Sequence, residues 1–168
     1  VMKRAGSILR FIPAFLWMTV IYLFSDAPAA ISTDQSMTVT GRLLGFVGRF
    51  ITIDVYTQAY LIVLLEPFIR KAAHMTEYAI LFFFVMLSSG VFIKDRGRRI
   101  LVSWGICLLY AASDEFHQTF VSGRAGMVKD VVIDMLGVML ASLIYLLFVK
   151  AGSGHSSNFA FIKLKKTD

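Results

Sequence analysis

The stretch YAASDEFHQTFVSGRAGMVKDVVIDMLG, residues 110–137, leaves one apolar helix, passes a Gly-Arg turn and enters a second apolar helix. It carries Asp114, Glu115, His117, Asp130 and Asp134 where lipid-facing helices should have no charge. A charge near the centre of a bilayer costs about 2.5–3.5 kcal/mol on insertion scales, so such residues turn toward a bundle interior or a water-filled cavity. The stretch therefore reads as two membrane spans whose polar faces meet partners inside a helix bundle.

Composition points the same way. Of 168 residues, 57% are hydrophobic and only 17% charged, and mean hydropathy is +0.71. A soluble domain of this size needs more polar surface. The expected fold class is all-α, a polytopic membrane helix bundle formed as a single domain over residues 1–168. The net charge of +6 does not indicate nucleic acid. The cations flank apolar segments, as cytoplasmic anchors do, and no aromatic residues interleave with them. Cys107 is the single cysteine and lies in an apolar helix, so a packed thiol is expected rather than an intrachain disulfide.

Four transmembrane helices are predicted, at about residues 8–25, 68–93, 100–120 and 128–149. The first has the length of a span, which favours it over a signal peptide ending near Ala27-Pro28-Ala29. Residues 29–66 form a long outer connection. Its part 32–40 is polar and shows no periodicity. Leu43, Phe46, Val47, Phe50, Ile51 and Ile53 then recur at helical spacing around Arg42 and Arg49, which predicts a short amphipathic or re-entrant helix. Residues 59–65 are apolar but too short to span, and Pro67 suits the first turn of a helix. Residues 94–99 make a basic loop. Residues 150–168 make a basic cytoplasmic tail whose Phe159, Phe161, Ile162 and Leu164 are expected to touch the interface. With both termini cytoplasmic, 11 of the 17 Lys and Arg residues fall inside and six outside, the favoured orientation. Four of the six outer cations, Arg70, Lys71, Arg124 and Lys129, call for another explanation.

Helical spacing supplies one. Residues three and four apart share a helix face. Arg70, His74, Glu77 and Tyr78 form one polar stripe, Tyr110, Asp114, His117 and Gln118 a second, and Asp130, Asp134 and Gly137 a third. His74, Asp114 and Asp134 each lie about 9 Å below the outer end of their span at about 1.5 Å per residue. The stripes should converge on one polar pocket that opens outward beneath a cationic rim. Arginine grips phosphate or carboxylate through a planar fork, which makes Arg70, Lys71, Tyr78, Gln118, Arg124 and Asp130 the candidate binding residues. His74, Glu77, Asp114, Glu115, His117 and Asp134 are the candidate acid–base residues. The same groups could ligate a divalent cation, although no cofactor is evident. They could equally form a buried network that fixes helix register.

The run RKAAHMTEY at 70–78, YAASDEFHQTF at 110–120, Gly123-Arg124 and DVVIDMLG at 130–137 together resemble the VanZ-like family of membrane proteins over about residues 9–148. Phe24-Ser25 at the end of span 1 fits as well. Ser122 stands where the family often has proline, which predicts a looser turn. The family is named for a protein linked to resistance to teicoplanin. The resemblance therefore implies a bacterial plasma-membrane protein acting at the cell envelope. With the pocket, it suggests binding or modification of an anionic lipid or lipid-linked cell-wall precursor. A small lipid flippase and a structural or regulatory partner of an envelope enzyme are the rival expectations. The sequence leaves oligomeric state and enzymatic activity open.

Overall fold

A computed structural model describes residues 9–164, with side chains described for residues 9–151. A short 3-10 turn, Leu9–Phe11, leads into α1, Ile12–Ser25. Then follow α2, Ala29–Val47, α3, Val55–Ser89, α4, Arg96–Gln118, and α5, Val128–Leu164. The architecture is all-helical, as the composition implies.

Cross-helix contacts fix the directions. Trp17 Nε1 donates to the Glu77 carbonyl at 2.8 Å and Ser88 Oγ to the Arg10 carbonyl at 2.7 Å, so α1 and α3 are antiparallel. Tyr110 donates to the Met18 carbonyl, and His117 meets Asp26 eight residues further along the first chain segment. That makes α1 and α4 parallel. On α3 and α5, Lys71 pairs with Asp130, and Gly137 packs against the Met75 backbone, so these two are parallel as well. A Cβ on Gly137 would overlap the Met75 carbonyl. The absence of a side chain there sets how closely α3 and α5 approach.

The packing is inverted relative to a soluble protein. Asp114, Glu115, Gln118 and Asp134 are buried with Tyr78, Phe82 and Val138, while Phe15, Leu101, Leu143 and Phe148 are exposed. A nearly continuous apolar exterior calls for lipid. Val55–Ser89 and Val128–Ala151 are long and apolar enough to cross a membrane. A third crossing is formed if Leu9–Ser25 and Ala29–Val47, bent by 104°, count as one broken span. Of the four expected spans, the helix at Arg96–Gln118 falls outside that group because Arg96, Arg98, Arg99, Asp114 and Glu115 lower its hydropathy.

Several boundaries differ from expectation. Residues 32–40 are helical, and the anticipated amphipathic helix is only the end of α2, which stops at Val47. Its helical signal is a stripe of small polar residues four apart. Ser36 Oγ donates to the Ser32 carbonyl and Thr40 Oγ to the Ser36 carbonyl, which lets hydroxyls enter a buried face already satisfied. Residues 59–65 belong to α3, which starts thirteen residues before the predicted span and ends at Ser89 instead of 93. Pro67 lies inside that helix rather than in its first turn, leaving the Val63 carbonyl without its usual amide. Asp54 starts α3 by accepting the Tyr56 and Thr57 amides, each at 3.0 Å. The Thr57 hydroxyl holds its carboxyl below the ordinary range. The helix of the last predicted span continues to Leu164. Lys3, Arg4 and the side chains of Phe159, Phe161, Ile162 and Leu164 lie outside the described residues.

Candidate functional site

The loop between α4 and α5 assembles the site by tying three helix ends together. Gly123 takes a positive φ of 75°, a conformation natural only for glycine. This aims Arg124 back at α1. Its Nε donates to the Ala27 carbonyl at 2.9 Å and its Nη2 to the Phe24 carbonyl at 3.1 Å. Arg124 thus caps the C-terminal end of α1, where the helix dipole favours a cation. Burial pulls its pKa below the ordinary value, while Asp114 and Glu115 pull it up. The Ser122 carbonyl accepts the Ala29 amide at 3.1 Å and secures the start of α2. Glu115 reaches from α4 to accept the Met127 amide at 2.9 Å, just before α5 begins. We expect Glu115→Ala to lower stability by about 1–2 kcal/mol through loss of that cap, measured as thermal unfolding in detergent. An unchanged midpoint would remove Glu115 from this role.

These ties enclose a cavity of about 350 Å³ bounded by Arg70, Lys71, His74, Glu115, Gln118, Arg124, Lys129, Asp130 and Asp134, among others. A second cavity, of about 310 Å³, lies between the end of α1, α2 and α3 and includes Glu77 in its lining. Arg70, His74 and Arg124 line both. Lys71 Nζ lies 3.2 Å from Asp130 Oδ1. Arg70 lies 3.5 Å from Glu66 and donates to Thr33 at 3.2 Å. His74 Nδ1 stands 3.5 Å from Glu77 Oε2, an ion-pair distance at which that oxygen has no hydrogen bond among the described residues. Asp134 is 2% exposed, and its Oδ2 has no described partner. A buried unpaired carboxylate oxygen is costly, and here it borders space that a ligand could enter.

Nine of the twelve residues singled out in the sequence line one cavity or the other. Tyr78, Asp114 and His117 line neither. Tyr78 is fully buried. Asp114 accepts from Gln118 at 3.3 Å within α4. His117 turns to the end of α1, where Nε2 meets Asp26 Oδ1 at 3.2 Å and the ring packs on Tyr22 with centroids 4.8 Å apart. Asp114 and His117 are therefore not brought together on the cavity. Lys129 lines the first cavity although the sequence suggested only a rim position. Ser32, Gln35, Ser36 and Val39 line the second, and the polar stripe of α2 at four-residue spacing could have announced Ser32 and Ser36. Among the described residues, no three His, Cys, Asp or Glu side chains converge as a metal site.

The family model described as VanZ/LLP1 matches residues 11–149, a range that contains every residue bordering the two cavities. The chain belongs to the VanZ/LLP1 family. No curated protein and no solved structure matches it. The apolar helices and the VanZ/LLP1 membership together mark a membrane protein. In this VanZ/LLP1 chain the RKAAH run of α3 faces the KDVVID run of α5 across the first cavity, with Arg124 closing one side.

Proposed function

We propose that this VanZ-like protein is a bacterial plasma-membrane protein of the cell envelope that crosses the bilayer four times, through α1, α3, α4 and α5, with both termini cytoplasmic. Its outward-facing cavity holds the charged group of an anionic lipid or lipid-linked cell-wall intermediate. The alternating helix directions support four passes. The observation that carries the binding reading is the gathering of Arg70, Lys71 and Lys129 from helices, and Arg124 from the loop between α4 and α5, around one cavity. A guanidinium has five N–H donors, and Arg124 spends only two on the Phe24 and Ala27 carbonyls at the end of α1. Any acid–base step on the bound group would fall to His74, with Glu77 at 3.5 Å and Asp134 across the cavity. A role in glycopeptide resistance would follow if the bound lipid is a cell-wall intermediate.

A second reading draws on Glu115 and Arg124, whose hydrogen bonds go to helix ends. On that reading the polar network holds the bundle together as a partner for an envelope enzyme. Lys129 separates the two, because it lines the cavity yet is exposed and has no ion-pair partner among the described residues. Native mass spectrometry of the gently solubilised protein should find an anionic lipid on the wild type. In Lys129→Gln the same adduct should weaken about tenfold, the equivalent of one charged hydrogen bond, with unfolding unchanged. A wild-type protein without any anionic lipid would overturn the binding reading.

A further inference from the structure

The second cavity differs from the first in its walls. Phe24, Val39, Ile69 and Ala73 give it an apolar side, while Ser32, Gln35 and Ser36 come from α2. Phe24 is 50% exposed and Val39 46%, and Ala73 is also exposed. The cavity therefore opens sideways on the bundle surface, between α2 and α3, where acyl chains would lie. It adjoins the cationic cavity through Arg70, His74 and Arg124, which belong to both. Each space alone is near the lower end of the range for ligand sites, about 300–1,000 Å³.

We infer that the two cavities form one bipartite lipid site, in which the anionic head occupies the cationic cavity and the first segment of its hydrocarbon chain leaves through the apolar groove between α2 and α3. The inference rests on the anionic-lipid reading above and adds the ligand's shape: a phosphorylated lipid entering sideways, with its head at the Arg70–His74–Arg124 junction. The occupant is a chain attached to that head rather than a protein segment, because the groove is continuous with a cation-lined space. Arg70 has donors left for a phosphate after its contacts with Glu66 and Thr33. Within α2 the Ser36 hydroxyl donates to the Ser32 carbonyl, so Ser36 needs no partner from the ligand.

The test compares farnesyl phosphate with inorganic phosphate on the full chain in one detergent, read by native mass spectrometry titration. The variants are Val39→Trp and Ala73→Leu, which place bulk in the groove at exposed positions and leave the cationic cavity untouched. Both should weaken farnesyl phosphate binding tenfold or more and keep inorganic phosphate binding within twofold of wild type. Detergent partitioning of the farnesyl chain is common to all three proteins and cancels in the comparison. Unchanged farnesyl phosphate binding in both variants overturns the groove assignment and leaves the head-binding reading standing. Equal loss of both ligands overturns it too, since the bulk would then act on the shared wall rather than on the chain. A wild-type protein that binds neither ligand overturns this inference together with the reading on which it rests.

Discussion

Gly137→Ala is expected to lower stability by about 3 kcal/mol or to abolish folded protein, although it adds a single methyl group. The new Cβ would fall on the carbonyl, carbonyl carbon and Cα of Met75. These are backbone atoms inside α3, so no rotamer change relieves the overlap and α3 and α5 must separate. Overpacking of this kind costs about 1–3 kcal/mol, and more when backbone must move. Separation would also stretch the Lys71–Asp130 contact from its 3.2 Å and open the first cavity, so lipid retention should fall with stability. Gly105→Ala is the control, because nothing lies within 4 Å of a Cβ there. Alanine is favoured over glycine in a helix by about 1 kcal/mol, so that variant should be neutral or slightly stabilised. Thermal unfolding of the two purified proteins in one detergent decides the matter. Equal midpoints for Gly137→Ala and wild type would mean that the α3–α5 approach is looser than described.

Polar groups at helical spacing inside apolar helices made much of the cavity legible in the sequence. Arg70 and His74 are four apart on α3, and Asp130 and Asp134 are four apart on α5. The cost of exposing them to lipid leaves the interior as their place, and all four line the first cavity. His117 obeyed the same spacing and went elsewhere. It lies three residues from Asp114, about 60° round the helix, enough to face Asp26 and Tyr22 at the end of α1. That destination depends on how α1 docks against α4, which periodicity along one helix does not encode. Residues 32–40 failed for a different reason. The pattern there is written in Ser32, Ser36 and Thr40, and the Ser36 and Thr40 hydroxyls are satisfied by their own helix, so a search for apolar periodicity passes over it. Pro67 misled through its local preference, because packing carries α3 straight through it.

Arg124 carries the second large effect, and it shows how one residue can serve fold and site together. The sequence made it a candidate anion-binding residue, and the structure adds that it holds the end of α1. Arg124→Ala removes two donors at once at the break between α1 and α2, leaving the Ala27 carbonyl to find water and the Phe24 carbonyl with only a long backbone bond, from the Ala27 amide at 3.4 Å. A hydrogen bond to a charged group contributes about 1.5–3 kcal/mol. The half-buried setting at a helix terminus adds to it, so a total loss of about 3–4 kcal/mol is expected. Arg124→Lys keeps the charge but cannot span both carbonyls with a rigid fork. It should recover about half of the stability while recovering little of the lipid binding, because a lysine drawn to the α1 end has no second arm for the cavity. Stability and bound lipid, measured on the same preparations, therefore part company in Arg124→Lys. If instead they fall and recover together in both variants, Arg124 acts through the fold alone, and recognition of the anion passes to Arg70, Lys71 and Lys129.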